Sequence, residues 1–185
     1  MIDGVDIATI GLHTLRKRLS VIPQVPILIQ GTVRLNLSPF KEHDDAQMRK
    51  VLDQVGLSDL SLDVEVGSNA SGLSAGQRQL LSFARLLLRD VKVVLLDEPT
   101  SNVDAKTDQL VQNVVVKELL RDATVITVAH RLPSIVDSDR VIVMGEGQVL
   151  EIGEPRALLA TEGSRFRQLW LAGYGEASLQ NVLNR

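Results

Sequence analysis

The sequence predicts an α/β fold, with a parallel sheet at the centre and a helical insertion, on three observations. The apolar run Val93–Leu96 ends abruptly in Asp97, Glu98 and Pro99. That is the pattern of a strand buried on both faces, with the proline stopping the ladder. A second run, Thr124–Ala129, reads as another buried strand and ends in His130. Around these runs the spacing turns helical, with Leu80, Ala84, Leu87 and Leu88 forming one stripe. Strands alternating with helices make a parallel sheet, and such sheets place ligand chemistry at the carboxyl ends of their strands. Asp97, Glu98 and His130 all fall at such ends.

Taken in order, Val5–Gly11 reads as a short edge strand and turn, and Leu12, Leu15 and Leu19 as one face of a short helix. Ser20–Ile22 is a brief strand leading to Gln24, and Val25–Gly31 is a loop with apolar anchors. Thr32 is placed to cap a helix through Leu37, which Ser38-Pro39 stops. Asp44 and Asp45 open the next helix, whose stripe is Met48, Val51, Leu52 and Val55, with Gly56 as its C′ residue. Residues 67–76 are loop by composition. Ser74 and Gln77 satisfy the capping-box pattern for the helix that follows, with Arg78, Ser82, Arg85 and Arg89 on its polar face. That helix start offers backbone N–H groups and a positive dipole end to an anion. Asp104–Leu120 supports a helix although Val114-Val115-Val116 is a poor helix-forming run. Val141–Met144 and Val149–Ile152 form a hairpin turning at Gly145-Glu146-Gly147. Glu154–Ala160 is a short helix, and the tail carries one amphipathic patch, Phe166, Leu169 and Trp170.

Composition excludes several classes. With 185 residues, 44% hydrophobic and 23% charged, the chain is globular rather than disordered. A net charge of -3 supplies no basic field for nucleic acid or anionic membrane. The absence of cysteine removes disulfides and thiolate metal sites. No apolar run reaches the ~18–20 residues of a membrane-spanning helix, and the first residues lack the regions of a signal peptide.

Five features then stand in one order: Gln24 after a strand, Leu73–Gln77 capping a helix, Val93–Glu98, Ser101–Asp104, and His130. This order resembles the nucleotide-binding domain of ATP-binding-cassette (ABC) transporters: Q-loop, signature, Walker B, D-loop and switch histidine. The resemblance runs from about Ile2 to Leu159. Ile2-Asp3-Gly4, Gly76–Leu80 and Asn102-Val103-Asp104 look most like the second cassette of the multidrug-resistance-protein (C) subfamily. It implies a P-loop nucleoside triphosphate hydrolase (RecA-like) core in residues 1–160, a helical subdomain at about 31–89, and a C-terminal tail over 161–185.

The resemblance also implies roles and ligands, ATP and Mg²⁺. Asp97 would hold the Mg²⁺, and Glu98 would act as general base toward the attacking water. His130 would contact the γ-phosphate. Gln24 would reach metal and water while its loop leans on the membrane domain. Ser74, Ala75, Gly76 and Gln77 would sit on ATP held by a second cassette, with Asp104 working across the same interface. The implied partners are a second cassette, in cis or in trans, and transmembrane domains, with no nucleic acid. The implied location is the cytoplasmic face of a membrane, within an integral membrane transporter.

Two departures matter. Ala75 stands where the family most often has glycine, a methyl group of modest cost. No Gly-x-x-x-x-Gly-Lys-Ser/Thr occurs in the sequence, and the family places that motif before Ile2. The expectation is therefore the C-terminal part of a cassette, a core lacking its P-loop strand, which alone binds Mg-ATP poorly and hydrolyses little. Two other readings stay open: a non-catalytic remnant that pairs with an intact cassette, and a DNA-repair or chromosome-maintenance ATPase head. The second would carry long coiled-coil insertions between Gln24 and Leu73 and a basic stripe, and neither is present.

Overall fold

The structure, a computed structural model, describes residues 1–67, 72–100 and 103–184. Residues 68–71 of the 67–76 loop, together with Ser101 and Asn102, lie outside the described residues. The chain divides into two units, Met1–Val128 and Ala129–Arg185.

The first unit is built on a parallel sheet of three strands, β1 (Leu19–Ile22), β4 (Val93–Asp97) and β5 (Thr124–Val128), with β4 in the middle. Leu19 pairs with Val93 and Val93 with Thr124, so the three strands start level, and they end within one residue of each other at Ile22, Asp97 and Val128. Between β1 and β4 run α2 (Val33–Leu37), α3 (Asp45–Gln54) and α4 (Ala75–Leu87), with β2 (Gly31–Thr32) and β3 (Glu65–Val66) as a small antiparallel pair. Each of the three helices is started by the side chain expected to start it. Thr32 accepts from Leu35 N–H, and Asp44 with Gln47 forms a capping box, as do Ser74 and Gln77. Gly56 takes φ 74° at the end of α3, a conformation that costs glycine little. The core gathers Ile22, Leu52, Leu81, Phe83, Val94 and Leu96, all almost completely buried.

Two expectations are corrected here, and the helix expected over Asp104–Leu120 forms with a change of type along it. β4 and β5 are covered on one face only. Val94 and Leu96 are buried, whereas Val21, Leu95 and Ile126 are 59%, 38% and 50% exposed. Those three pair across the sheet, so they form one outward row. A run of apolar residues reports strand propensity, but it cannot tell whether one cover or two lies over it. The edge strand expected in Val5–Gly11 is instead a bridge between Ile2 and Val5, followed by a turn of 3₁₀-helix over Ile7–Thr9. Asp6 decides this, accepting from Ala8 N–H with its carboxylate and from the Thr9 hydroxyl with its carbonyl. The long helix after Asp104 is α5 (Ala105–Leu110) running into a π-helix over Val111–Leu119.

The second unit holds the expected hairpin, β6 (Val141–Gly145) and β7 (Gln148–Gly153), with a bulge at Val143/Met144. Glu146 and Gly147 both take positive φ, as a two-residue turn of this kind requires. Then come α6 (Pro155–Ala160), capped by Glu154, and α7 (Arg165–Leu183), interrupted at Gly175. Residues 161–185, which the sequence presents as a tail, thus carry a helix with its own packing. Phe166 and Trp170 are buried with Val141, Val143 and Leu159, and Leu169 of the same patch points outward.

Glu151 on β7 fastens the start of α7, its Oε2 accepting from Phe166 N–H and from the Ser164 hydroxyl, each at 2.9 Å. These bonds, the Phe166 N–H first, hold its carboxyl below the usual glutamate value against an opposing push from burial. A depressed carboxylate stabilises the fold above its unfolded pKa and stops doing so as pH falls through the folded one. Acid titration is therefore expected to loosen this unit below about pH 4, read from the fluorescence of Trp170, the only tryptophan. Glu151→Gln should flatten that pH dependence. An unchanged titration curve in Glu151→Gln would discard Glu151 as the source.

Candidate functional site

β1 and β4 lie in register, Ile22 opposite Leu96. Two residues further along each chain stand Gln24 and Glu98, and their side chains meet. Gln24 Nε2 donates to Glu98 Oε2 at 3.0 Å. The level ends of the parallel strands thus bring together two residues 74 apart in sequence, with Asp97 beside them closing β4. Glu98 keeps one more sheet bond, its N–H donating to Val128 O at 3.0 Å. Its backbone then turns left-handed, at φ 44°. For a residue with a side chain this conformation costs on the order of 1–2 kcal/mol, and such strain collects where a side chain must be aimed. Pro99 follows and prevents the strand from simply running on.

A second cluster forms at the start of α4. Ser74 Oγ accepts from Gln77 N–H at 3.1 Å, and Gln77 Oε1 accepts from Ser74 N–H at 2.9 Å. The box uses those two N–H groups and leaves those of Ala75 and Gly76 for an outside acceptor, with the positive end of the helix dipole behind them. Gly76 lies against α5: a Cβ there would come 3.2 Å from Thr107 Oγ1 and 3.6 Å from Asp104 Oδ2. Asp104 therefore sits next to the Ser74–Gly76 turn of its own chain. It caps α5, with Oδ1 accepting from the N–H groups of Lys106 and Thr107 and Oδ2 from the Thr107 hydroxyl. The Thr107 N–H first, then its hydroxyl, hold the Asp104 carboxyl below the usual aspartate value. Thr107 is a member of this cluster that the sequence did not single out. Its signal was available, since a capping aspartate accepts from the N–H of the residue three further on.

His130 is placed in the second unit, where it lines an open pocket of about 430 Å³ with Leu132, Leu169 and Tyr174. The other pocket described, about 230 Å³, opens beside Val91, Lys92 and Ala123 at the amino ends of β4 and β5, away from the acids.

The donor chemistry at the strand ends is hard oxygen: the carboxylates of Asp97 and Glu98 and the amide oxygen of Gln24. Among the described residues, no three histidine or acidic side chains converge as a metal cage. A magnesium ion does not ask for one, since it keeps several waters and takes one or two carboxylates beside substrate phosphates. The residues present fit that ion in company with a nucleotide.

A family model described as "ABC transporter" matches residues 1–101. Multidrug resistance protein fer6 of Mycosarcoma maydis is 46% identical over 168 residues, 91% of this chain and 12% of that protein. ABC transporter C family member 5 of Arabidopsis thaliana is 45% identical over 174 residues, covering 91% of this chain and 11% of its own. ATP-binding cassette sub-family C member 2 of Homo sapiens is 47% identical over 188 residues, 98% of this chain and 12% of its length. The chain thus spans about an eighth of the length of these relatives. A solved structure described as a bacterial Atm1-family ABC exporter with ATP bound superposes with a TM-score of 0.84 at 30% identity, over 95% of this chain and 32% of that one.

Proposed function

Because this chain belongs to the ABC transporter family, we propose that it forms part of a cassette that binds and hydrolyses ATP to drive export across a membrane. The observation that carries this reading is the hydrogen bond between Gln24 and Glu98 at the level ends of β1 and β4. It supplies an acid held in one orientation beside a second acid, which general-base hydrolysis requires. In this reading Glu98 takes the proton of the attacking water, and Gln24 keeps the carboxylate aimed. Asp97 and the Gln24 amide oxygen would hold Mg²⁺, which when bound neutralises charge on the phosphates. By the family resemblance, His130 would contact the γ-phosphate.

The signature turn works on a partner. The N–H groups of Ala75 and Gly76 would receive the phosphates of ATP held by a second cassette, and Asp104, braced by Thr107, would face the same junction. The loop after Gln24 exposes Val25 and Ile27, at 70% and 74%, which supports a docking contact with transmembrane domains. No helix among the described residues is long and apolar enough to cross a membrane, so in this reading the chain meets the membrane through those domains, on the cytoplasmic face.

Pairing is the property to test on the chain itself. Mixed with a complete C-subfamily cassette and Mg-ATP, the chain is expected to form a heterodimer visible by light scattering. Ser74→Arg should abolish it by filling the anion position, while the helical signal stays within the ~1 kcal/mol loss of an N-cap. Pairing that survives Ser74→Arg unchanged would sink the assignment of this turn.

A further inference from the structure

The sequence places Arg85 on the polar face of α4. It is half-buried, and it donates to a distant loop and to α2. Its Nε donates to the Asn36 carbonyl and its Nη1 to the Ile27 carbonyl, while its Nη2 donates to Asn36 Oδ1 at 3.0 Å. Asn36, completely buried on α2, extends the grip. Its Oδ1 also accepts from Ile29 N–H at 2.9 Å, and its Nδ2 donates to Ile29 O at 2.8 Å and Thr32 O at 3.1 Å. The Asn36 amide thus pairs with both backbone groups of Ile29 as a neighbouring strand would. Arg85 closes over the same amide and over Ile27 beside it.

We propose that Arg85, acting with Asn36, is a positioning residue that latches the loop following Gln24 to α4, so that loop and helix move as one body. Three features carry this. The loop has little apolar anchorage, because Val25 and Ile27 are exposed and only Leu28 packs against the core, so its polar bonds hold it. All three Arg85 acceptors are neutral oxygens, and burial lowers the Arg85 pKa. Pulling the loop away would take the Ile27 carbonyl from a desolvated cation and both backbone partners of Ile29 from the buried Asn36 amide, and such groups are costly to leave unpaired. Finally, α4 carries Arg85 in its last turn and Ser74 at its cap. A helix of 13 residues spans roughly 20 Å, so the latch ties the Gln24 loop to the signature turn through one rigid element.

The inference rests on the functional reading above only for its meaning, since the mechanical link can be measured without nucleotide. The chain has no cysteine, so label sites can be introduced cleanly. Val25→Cys with Arg78→Cys, spin-labelled, reports loop against α4. Lys50→Cys with Arg78→Cys reports α3 against α4 as a control. Arg85→Lys keeps the charge but loses the fork that reaches three acceptors at once. The expected result is a loop–α4 distance distribution at least twofold wider in Arg85→Lys, with the control pair unchanged. An unchanged loop–α4 width would overturn the proposal, and so would equal broadening of both pairs, which would make Arg85 a general support. If Arg85→Lys fails to fold by circular dichroism, Arg85→Gln is read by the same outcomes.

Discussion

Glu98→Gln is expected to cut ATP hydrolysis by about 10²- to 10⁴-fold, or ~3–5 kcal/mol of transition-state stabilisation, while nucleotide binding survives. The measurement uses a chimera in which this chain replaces the matching stretch of the human sub-family C member 2 cassette, 47% identical over 188 residues. Glutamine has the shape of glutamate and still offers an oxygen to Gln24 Nε2, so the bond that spans the strand ends can persist. What disappears is the ability to take a proton from water. Turnover should therefore fall with little change in KM, as for a group that acts only in the transition state. A drop smaller than tenfold would remove Glu98 from the role of base. A chimera inactive whatever stands at position 98 would favour a segment that pairs without catalysing.

The largest expected effect on stability is at Phe83. It lies on the buried face of α4, fully enclosed with Leu81, Val94 and Leu96. Phe83→Ala removes most of an aromatic ring and leaves a void that the surrounding helix and sheet fill only in part. The expected loss is about 3–5 kcal/mol. With a urea slope of ~1–3 kcal/mol per molar, the unfolding midpoint should fall by roughly 1–5 M. A loss under 1 kcal/mol would mean that α4 is not pressed onto the sheet as described.

These two residues differ in how readily the sequence shows them. Glu98 stands out because an apolar run stops at an acid pair and a proline, which is local information. The caps Thr32, Asp44 and Ser74 were legible for the same reason, since each bonds within four residues of itself. Burial was less legible. Whether Leu95 is covered depends on what else packs against the sheet, and no property of Leu95 carries that. The Arg85–Asn36 contact spans 49 residues, and arginine at a helical polar position looks the same whether it meets water or a carbonyl. Asp104 shows a third case. Its motif position implies a role toward a partner, while the structure shows its carboxylate already engaged as the cap of α5. The two are compatible, because the cap fixes the start of a helix that touches Gly76. The left-handed backbone of Glu98 could not be read from residue type, since glutamate is an ordinary choice everywhere except at that φ.

The outward row of Val21, Leu95 and Ile126 has a practical side for anyone handling the isolated chain. It lies on a three-stranded sheet whose outer strands, β1 and β5, each have a described ladder partner on one side only. Apolar side chains above an unpaired backbone edge make a template that other strands can extend. Purified alone, the chain should precipitate with rising concentration and temperature well before its core melts. Ile126→Lys should raise its solubility limit more than the same change at an equally exposed helical position such as Leu169→Lys.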